Sequence, residues 1–311
     1  MRLLRFLPLL AVLCFIRPVS AGVSPAPSAQ PGDFDCERCA EWNKPVTPFR
    51  IYGNSYYVGV QGLASVLVVS SQGLELLDGD LPQSAPLIEA NIRALGFRVE
   101  DVRMILNSHT HPDHAGGIAA LQRASGAQVY ASHSGAQALR HGRYAPDDPQ
   151  LGWDKSGFPA VRRVREVRDG QTLILGDVVI TARFTPGHTP GGTSWTWRSC
   201  EGQRCLNVVY GDSLNALAAP GFRYLGDATH PDVSERFRKS IDTMAGLPCD
   251  ILISVHPDVS GMWEKVEARG KGQTPDPFID SNSCRSYADD ARQILEERLR
   301  KERAGVENAP Q

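Results

Sequence analysis

The sequence predicts an α/β protein arranged as a four-layer αβ/βα sandwich, two packed sheets with helices on both outer faces. Three observations predict it. Strand-like and helix-like stretches alternate along the chain in two similar halves, which suits layers sharing a sheet-on-sheet core. Histidine-bearing loops follow apolar strand-like runs at three separate points. A chain of 311 residues, less a short leader, can bury about three quarters of its unfolded surface, enough for one core of this kind.

Residues 22–41 contain Pro25, Pro27, Pro31 and small polar residues, so a loose leader is expected before a single domain over 42–303, with a disordered tail at 304–311. Arg50 to Asp80 reads as three strands broken at Gly53-Asn54 and Ser71-Gln72-Gly73. Ala85 to Leu95 has helical spacing with Gly96 just past its end. A strand from Val102 to Leu106, a polar loop and a helix from Gly117 to Ala124 follow. Further strands are expected at Val129–Ala131, Leu173–Phe184, Trp195–Trp197, Leu206–Tyr210 and Asp250–Val255. Val233–Ala245 and Tyr287–Arg303 are the clearest later helices, and the charged run Glu296–Arg303 reads as a solvated face. There is no short-period repeat or low-complexity tract.

Chemistry concentrates in the loop after Leu106. His109, His111, Asp113 and His114 fall within six positions. In an extended segment residues two apart share a face, so His109 and His111 can point at one ion while Asp113 and His114 point elsewhere. The helix start after them favours a carboxylate at Asp113. Two adjacent ions are expected. Imidazole and carboxylate without thiolate suit zinc, although iron, nickel and copper accept the same ligands. Two more histidines sit after strand patterns: His188 on the turn Thr185-Pro186-Gly187-His188-Thr189-Pro190-Gly191-Gly192, and His256 before Pro257. Five histidines and one aspartate suffice for two zinc ions with three protein ligands each and water between them. Three ligands and an open position form the catalytic arrangement, whereas structural zinc is closed by four.

The H-x-H-x-D-H motif, the P-G-H-T-P-G-G turn and the late S-V-H-P resemble the metallo-β-lactamase superfamily over roughly Trp42 to Arg300, and within it the class B, subclass 3 zinc β-lactamases. His109 stands where the mono-zinc subclass has asparagine, Ser213 where the commonest subclass has a cysteine ligand, and His114 is available to replace that thiolate. The segment 192–202 also resembles members of this subclass. The resemblance implies a first zinc on His109, His111 and His188 and a second on Asp113, His114 and His256. It implies hydrolysis of the β-lactam amide of penicillins, cephalosporins and carbapenems by a metal-bound hydroxide, giving antibiotic resistance. Zinc lowers the pKa of bound water to about 7, and Asp113 would orient that hydroxide. Ser213 and Asn215 would hydrogen-bond the substrate's carboxylate or a zinc-bound water, although relatives often carry Ser or Thr at the latter position. Phe222 lies near a tyrosine that serves some relatives as oxyanion donor, so that role is either absent or taken by Tyr224.

The same superfamily supplies the main rival. Gly211-Asp212-Ser213-Leu214 resembles the segment in which glyoxalase II and lactonases place a bridging aspartate, and a bridging Asp212 would make a thioester or lactone the better substrate. An iron oxidoreductase is a second class; its flavodiiron relatives carry H-x-E-x-D, and no flavin domain follows here. A non-catalytic metal-binding module is a third, opposed by the full ligand set.

Arg2 and Arg5 before the apolar stretch Leu7–Ile16, with Val19-Ser20-Ala21 beyond it, read as a signal peptide over 1–21, too short to span a bilayer and directing the protein to the periplasm. Cys14 follows Leu13, not a small residue, so no lipid anchor is expected. Removing 1–21 takes away Arg2, Arg5 and Arg17 and no acid, moving the formal charge from −2 to −5. No basic patch then argues for nucleic acid, and a monomer acting on a small molecule is expected. The six cysteines left are even in number, which in an exported chain implies disulfides. Cys200 with Cys205 can close a hairpin tip. By similarity to relatives, Cys249 pairs with Cys284. Cys36-Glu37-Arg38-Cys39 reads as a local bridge in preference to a redox motif.

Outside these motifs, His133 and His141 read as surface polar groups and His230-Pro231-Asp232 as a helix entry. Trp195 and Trp197 read as one buried sheet face. Ser254 and Asp258 flank His256 and can fix its tautomer. Asp78-Gly79-Asp80 is either a turn or a carboxylate source behind the metals.

Overall fold

The computed structural model describes residues 34–153 and 157–305. The signal peptide expected over 1–21, most of the leader and the tail after 305 lie outside the described residues. Seven strands form one sheet in sequential order: β1 (Phe49–Tyr52), β2 (Ser55–Tyr57), β3 (Val66–Ser70), β4 (Gly73–Leu77), β5 (Val102–Leu106), β6 (Gln128–Ala131) and β7 (Val164–Glu166). The first four are antiparallel and β4 to β7 are parallel. The second sheet holds β8 (Thr172–Leu175), β9 (Val178–Phe184), β10 (Thr193–Glu201), β11 (Arg204–Gly211) and β12 (Ile251–Ser254), antiparallel except for the β11–β12 pair. The helices are α1 (Cys39–Trp42), α2 (Ala85–Ala94), α3 (Pro112–Ala115), α4 (Ile118–Ser125), α5 (His133–His141), α6 (Ser234–Ala245), α7 (Met262–Gly270) and α8 (Ser283–Arg303).

Three apolar clusters make the expected four layers. Between the sheets, Tyr57, Val66, Leu77, Trp195, Trp197, Val208, Tyr210 and Ile253 pack together. Leu74, Leu76 and Val129 on the other face of the first sheet meet Ile88 and Ile92 of α2, Leu121 of α4 and Leu139 of α5. Val209 and Leu252 of the second sheet meet Phe237, Ile241 and Met244 of α6 and Tyr287, Leu295 and Leu299 of α8. Strand alternation explains the division: neighbouring residues face opposite sides, so each buried strand feeds two cores. Trp195 and Trp197 do share one buried sheet face.

All three cysteine pairs are bridged: Cys36–Cys39, Cys200–Cys205 and Cys249–Cys284. Cys200 and Cys205 oppose each other across the β10–β11 hairpin. The loose leader does not hold where it is described. Phe34 N donates to Gln83 Oε1 at 3.1 Å and Gln83 Nε2 returns a bond to Phe34 O at 2.7 Å. Cys39 packs with Val60, Leu63 and Leu81. A reciprocal clasp and a disulfide across one turn therefore carry the domain back to Phe34. Arg50 to Asp80 contains four strands, because the chain reverses twice, at 53–54 and 71–72, and again through the loop 58–65.

Candidate metal centre

The site lies where β5, β9, β11 and β12 end. Asp78, just past β4, fixes the loop after β5. Its Oδ1 accepts from Ser108 N at 2.7 Å and Asn107 Nδ2 at 3.0 Å, and its Oδ2 from Ser108 Oγ at 2.5 Å and Tyr210 OH at 3.0 Å. Asp78 and Asp80 both have left-handed backbones, φ 59° and 54°, a conformation aspartate tolerates better than most residues. Gly79 N donates to His114 O and Gly117 N to Asp80 O, lacing this turn to the histidine loop. Asp78-Gly79-Asp80 is thus both a turn and the source of a carboxylate behind the site, with Asp78 holding the backbone of Ser108.

His109, His111 and His188 present ligand atoms within 4.8 Å of one another. Their ring centroids form a near-equilateral triangle of 4.9, 5.0 and 4.8 Å sides. Asp113 Oδ2 lies 3.3 Å from His114 Nε2 and 3.6 Å from His256 Nε2, and the two Nε2 atoms are 3.3 Å apart. Ligands about 2.0–2.1 Å from a tetrahedral ion are about 3.3 Å from each other, so the second triad has metal-ligand spacing. His109 Nε2 is buried with no hydrogen-bond partner, an arrangement that costs free energy unless an electrophile fills the gap. The structure thus brings together all six residues singled out in the sequence.

In four of the five histidines the other ring nitrogen is committed elsewhere, while His114 Nδ1 is buried without a partner. His109 Nδ1 donates to Asp212 Oδ1 at 2.8 Å, His188 Nδ1 to Asn215 O at 2.8 Å and His256 Nδ1 to Gly62 O at 3.2 Å. His111 Nε2 donates to Asp148 Oδ1 at 3.2 Å. Asp212 therefore stands behind His109, on the side away from that ring's free nitrogen. His256 takes its partner from Gly62, not from Ser254 or the exposed Asp258. Asn215 contributes its backbone carbonyl to His188 while its side chain is exposed, and Ser213 is buried beside Asp212.

Burial, reinforced by the neighbouring imidazoles, keeps His109 neutral, and burial also lowers His188 to about 3 and His256 to about 4. Burial opposes charge on His114 too, but Asp113 outweighs it and lifts that imidazole to about 9. Burial would raise Asp113, yet His114, His256 and His111 hold it well below the ordinary carboxylate range. Without a metal His114 thus carries an extra proton, to be given up when an ion binds.

Several neighbours carried no signal in the sequence. Trp42 lies 5.3 Å from the His256 ring and Tyr144 5.2 Å from the His111 ring, centroid to centroid. Gln150 Nε2 is 3.3 Å from His188 Nε2. These residues come from α1 and from the loop after α5, where no spacing pattern announces them. Tyr224 is not an oxyanion donor: it is fully buried and its hydroxyl donates to Leu217 O at 3.0 Å. His133 and His141 are exposed and His230 is half-buried, all three outside the centre.

A fold of two sheets between helices with this cluster at the strand ends defines the class. The profile of the Metallo-beta-lactamase superfamily matches residues 58–202. The chain is similar to the structure of the Rm3 metallo-beta-lactamase, 52% identical with a TM-score of 0.83, covering 86% of this chain and 99% of that one. It is also similar to MEM-A1, a subclass B3 metallo-beta-lactamase from a soil metagenome library, at 48% identity and TM-score 0.82, covering 85% and 99%. The chain belongs to the metallo-β-lactamase superfamily. Among curated relatives, a hydroxyacylglutathione hydrolase of Anaeromyxobacter dehalogenans is 31% identical over 67% of this chain and 62% of its own length. The N-acyl homoserine lactonase AttM of Agrobacterium fabrum is 30% identical over 42% of this chain and 51% of its own. The chain thus spans less than two thirds of either curated relative.

Proposed function

We propose that the protein is a periplasmic zinc β-lactamase that opens the amide of penicillins, cephalosporins and carbapenems. The observation that carries this reading is the pair of complete ligand triads in a chain 52% identical to a metallo-β-lactamase over 99% of that chain. His109, His111 and His188 would hold one zinc, and Asp113, His114 and His256 the other. Bound zinc supplies a Lewis acid and a water acidic enough to ionise near neutral pH. The chain positions the reaction. Asp113, held ionised by the surrounding imidazoles, is the acceptor that orients the attacking water. Trp42 and Tyr144 bound the centre beside His256 and His111. No side-chain nucleophile is needed, so serine-directed acylating inhibitors should leave turnover intact and label no serine. Export is supported by the leader pattern over 1–21 and by three disulfides.

The thioesterase or lactonase reading has the curated relatives in its favour. It requires Asp212 to bridge two ions, whereas Asp212 Oδ1 is 2.8 Å from His109 Nδ1, behind the ring. The test is turnover by zinc-loaded protein of a chromogenic cephalosporin, a glutathione thioester and an N-acyl homoserine lactone, each with and without chelator. Chelator-sensitive turnover of the cephalosporin above the other two is expected. Preference for the thioester or lactone would replace the β-lactamase reading.

A further inference from the structure

The histidines of the first triad differ in how they are held. His109 and His188 use Nδ1 for a hydrogen bond to a protein oxygen and turn Nε2 to the centre, where His109 Nε2 has no partner and His188 Nε2 meets only Gln150 Nε2 at 3.3 Å, while His111 uses Nε2 and leaves Nδ1. A neutral imidazole has one lone pair, so its proton must sit on the nitrogen turned away from the ion. For His111 that nitrogen faces Asp148, 37 residues away on the loop joining α5 to β7.

Asp148 is built for this place. It is 3% exposed, its Oδ1 also accepts from Gln150 N at 2.8 Å, and its Oδ2 is buried with no hydrogen-bond partner. The loop is anchored next to it, with Ala219 N donating to Pro149 O at 2.8 Å. A carboxylate half-satisfied and out of water is costly unless something gains from it. A proton donated by Nε2–H to Asp148 fixes the ring's orientation, leaves the Nδ1 lone pair for an ion and makes it a stronger donor.

We propose that Asp148 is a positioning residue for the first metal site: it holds His111 as the Nε2–H tautomer with Nδ1 turned to the ion. The inference rests on the zinc reading of the centre and concerns its assembly.

Two measurements test it. Long-range proton–nitrogen correlation spectra of the metal-free wild type read the histidine tautomers directly, and His111 is expected with its proton on Nε2. Finding it on Nδ1 would overturn the proposal without any variant. Zinc affinity is then measured by competition with a chromophoric chelator. Asp148→Ala should bind the first zinc about 10- to 100-fold more weakly, the usual cost of losing such a partner. Asp148→Asn keeps a carbonyl acceptor and should recover much of that loss. Asp147→Ala, which removes the exposed neighbouring carboxylate, should bind as the wild type does. Wild-type affinity in Asp148→Ala, or equal losses in Asp148→Ala and Asp148→Asn, would overturn the proposal alone. A wild type that takes up no zinc would sink the zinc reading and this proposal with it.

Discussion

Half-buried Asp113 and fully buried Asp212 both lie against imidazoles, yet on opposite sides of them. Asp113 Oδ2 is within 3.6 Å of the nitrogens that would share its ion, while Asp212 Oδ1 contacts the nitrogen of His109 that points away. Asp212→Asn should therefore still load two zinc ions when zinc is in excess. Asp113→Asn should lose the second zinc, and elemental analysis of the purified variants shows which is so; the reverse pattern would favour a bridging Asp212. Glu75 gives a separate test, remote from the metal ligands. Both its oxygens are buried without partners, and burial, with some repulsion from Asp177, pushes it up to about 8 from an ordinary 4.5. Because the folded value is raised, its contribution to stability is whole below about 4.5 and is lost as pH rises through about 8. Glu75→Gln should flatten this loss, by up to about 5 kcal/mol at 1.36 kcal/mol per unit. Denaturant unfolding at about pH 5 and pH 9 measures it, and parallel slopes in both proteins would contradict it. At this scale the ligands were legible in the sequence because four of them crowd one loop. Trp42, Tyr144 and Asp148 were not, since each meets its histidine only through the fold.

Elements bring the ligands together through close backbone contact. A Cβ on Gly117 would lie 2.1 Å from Gly79 O, where the turn after β4 crosses the start of α4. Gly117→Ala should force that turn and the histidine loop apart and destabilise the protein by roughly 1–3 kcal/mol, the usual range for overpacking. Thermal unfolding checks the loss, and an unchanged midpoint would show that the turn yields freely. The strands and longer helices were readable from their periodicity, as β5, α2, α6 and α8 show. Missed were α1, α3, α5, α7 and β7. α1 and β7 are four and three residues long, too short for a pattern to repeat, and the polar residues of α5 hide the apolar face carrying Ala136 and Leu139.

Across the whole molecule the layers keep the ligands in register, since His188 and His256 leave the second sheet and the other four leave the first. The Cys249–Cys284 bridge ties the start of β12 to α8 and closes a separation of 35 residues. By the loop-entropy estimate it contributes roughly 3–4 kcal/mol. Cys249→Ser with Cys284→Ser should thus unfold earlier while still binding zinc at low temperature; loss of zinc from the folded variant would mean that the bridge shapes the site itself. The layer order was legible from alternating patterns, whereas the packing of residues 34–41 onto the domain depends on contacts with Gln83 and Leu81 that no local pattern encodes. The most direct test of the central claim is turnover of a chromogenic cephalosporin by metal-stripped protein titrated with zinc. Activity should be absent at the start, reach its maximum by two equivalents and vanish again with chelator. Hydrolysis indifferent to zinc and chelator, or none at any zinc load, would contradict it.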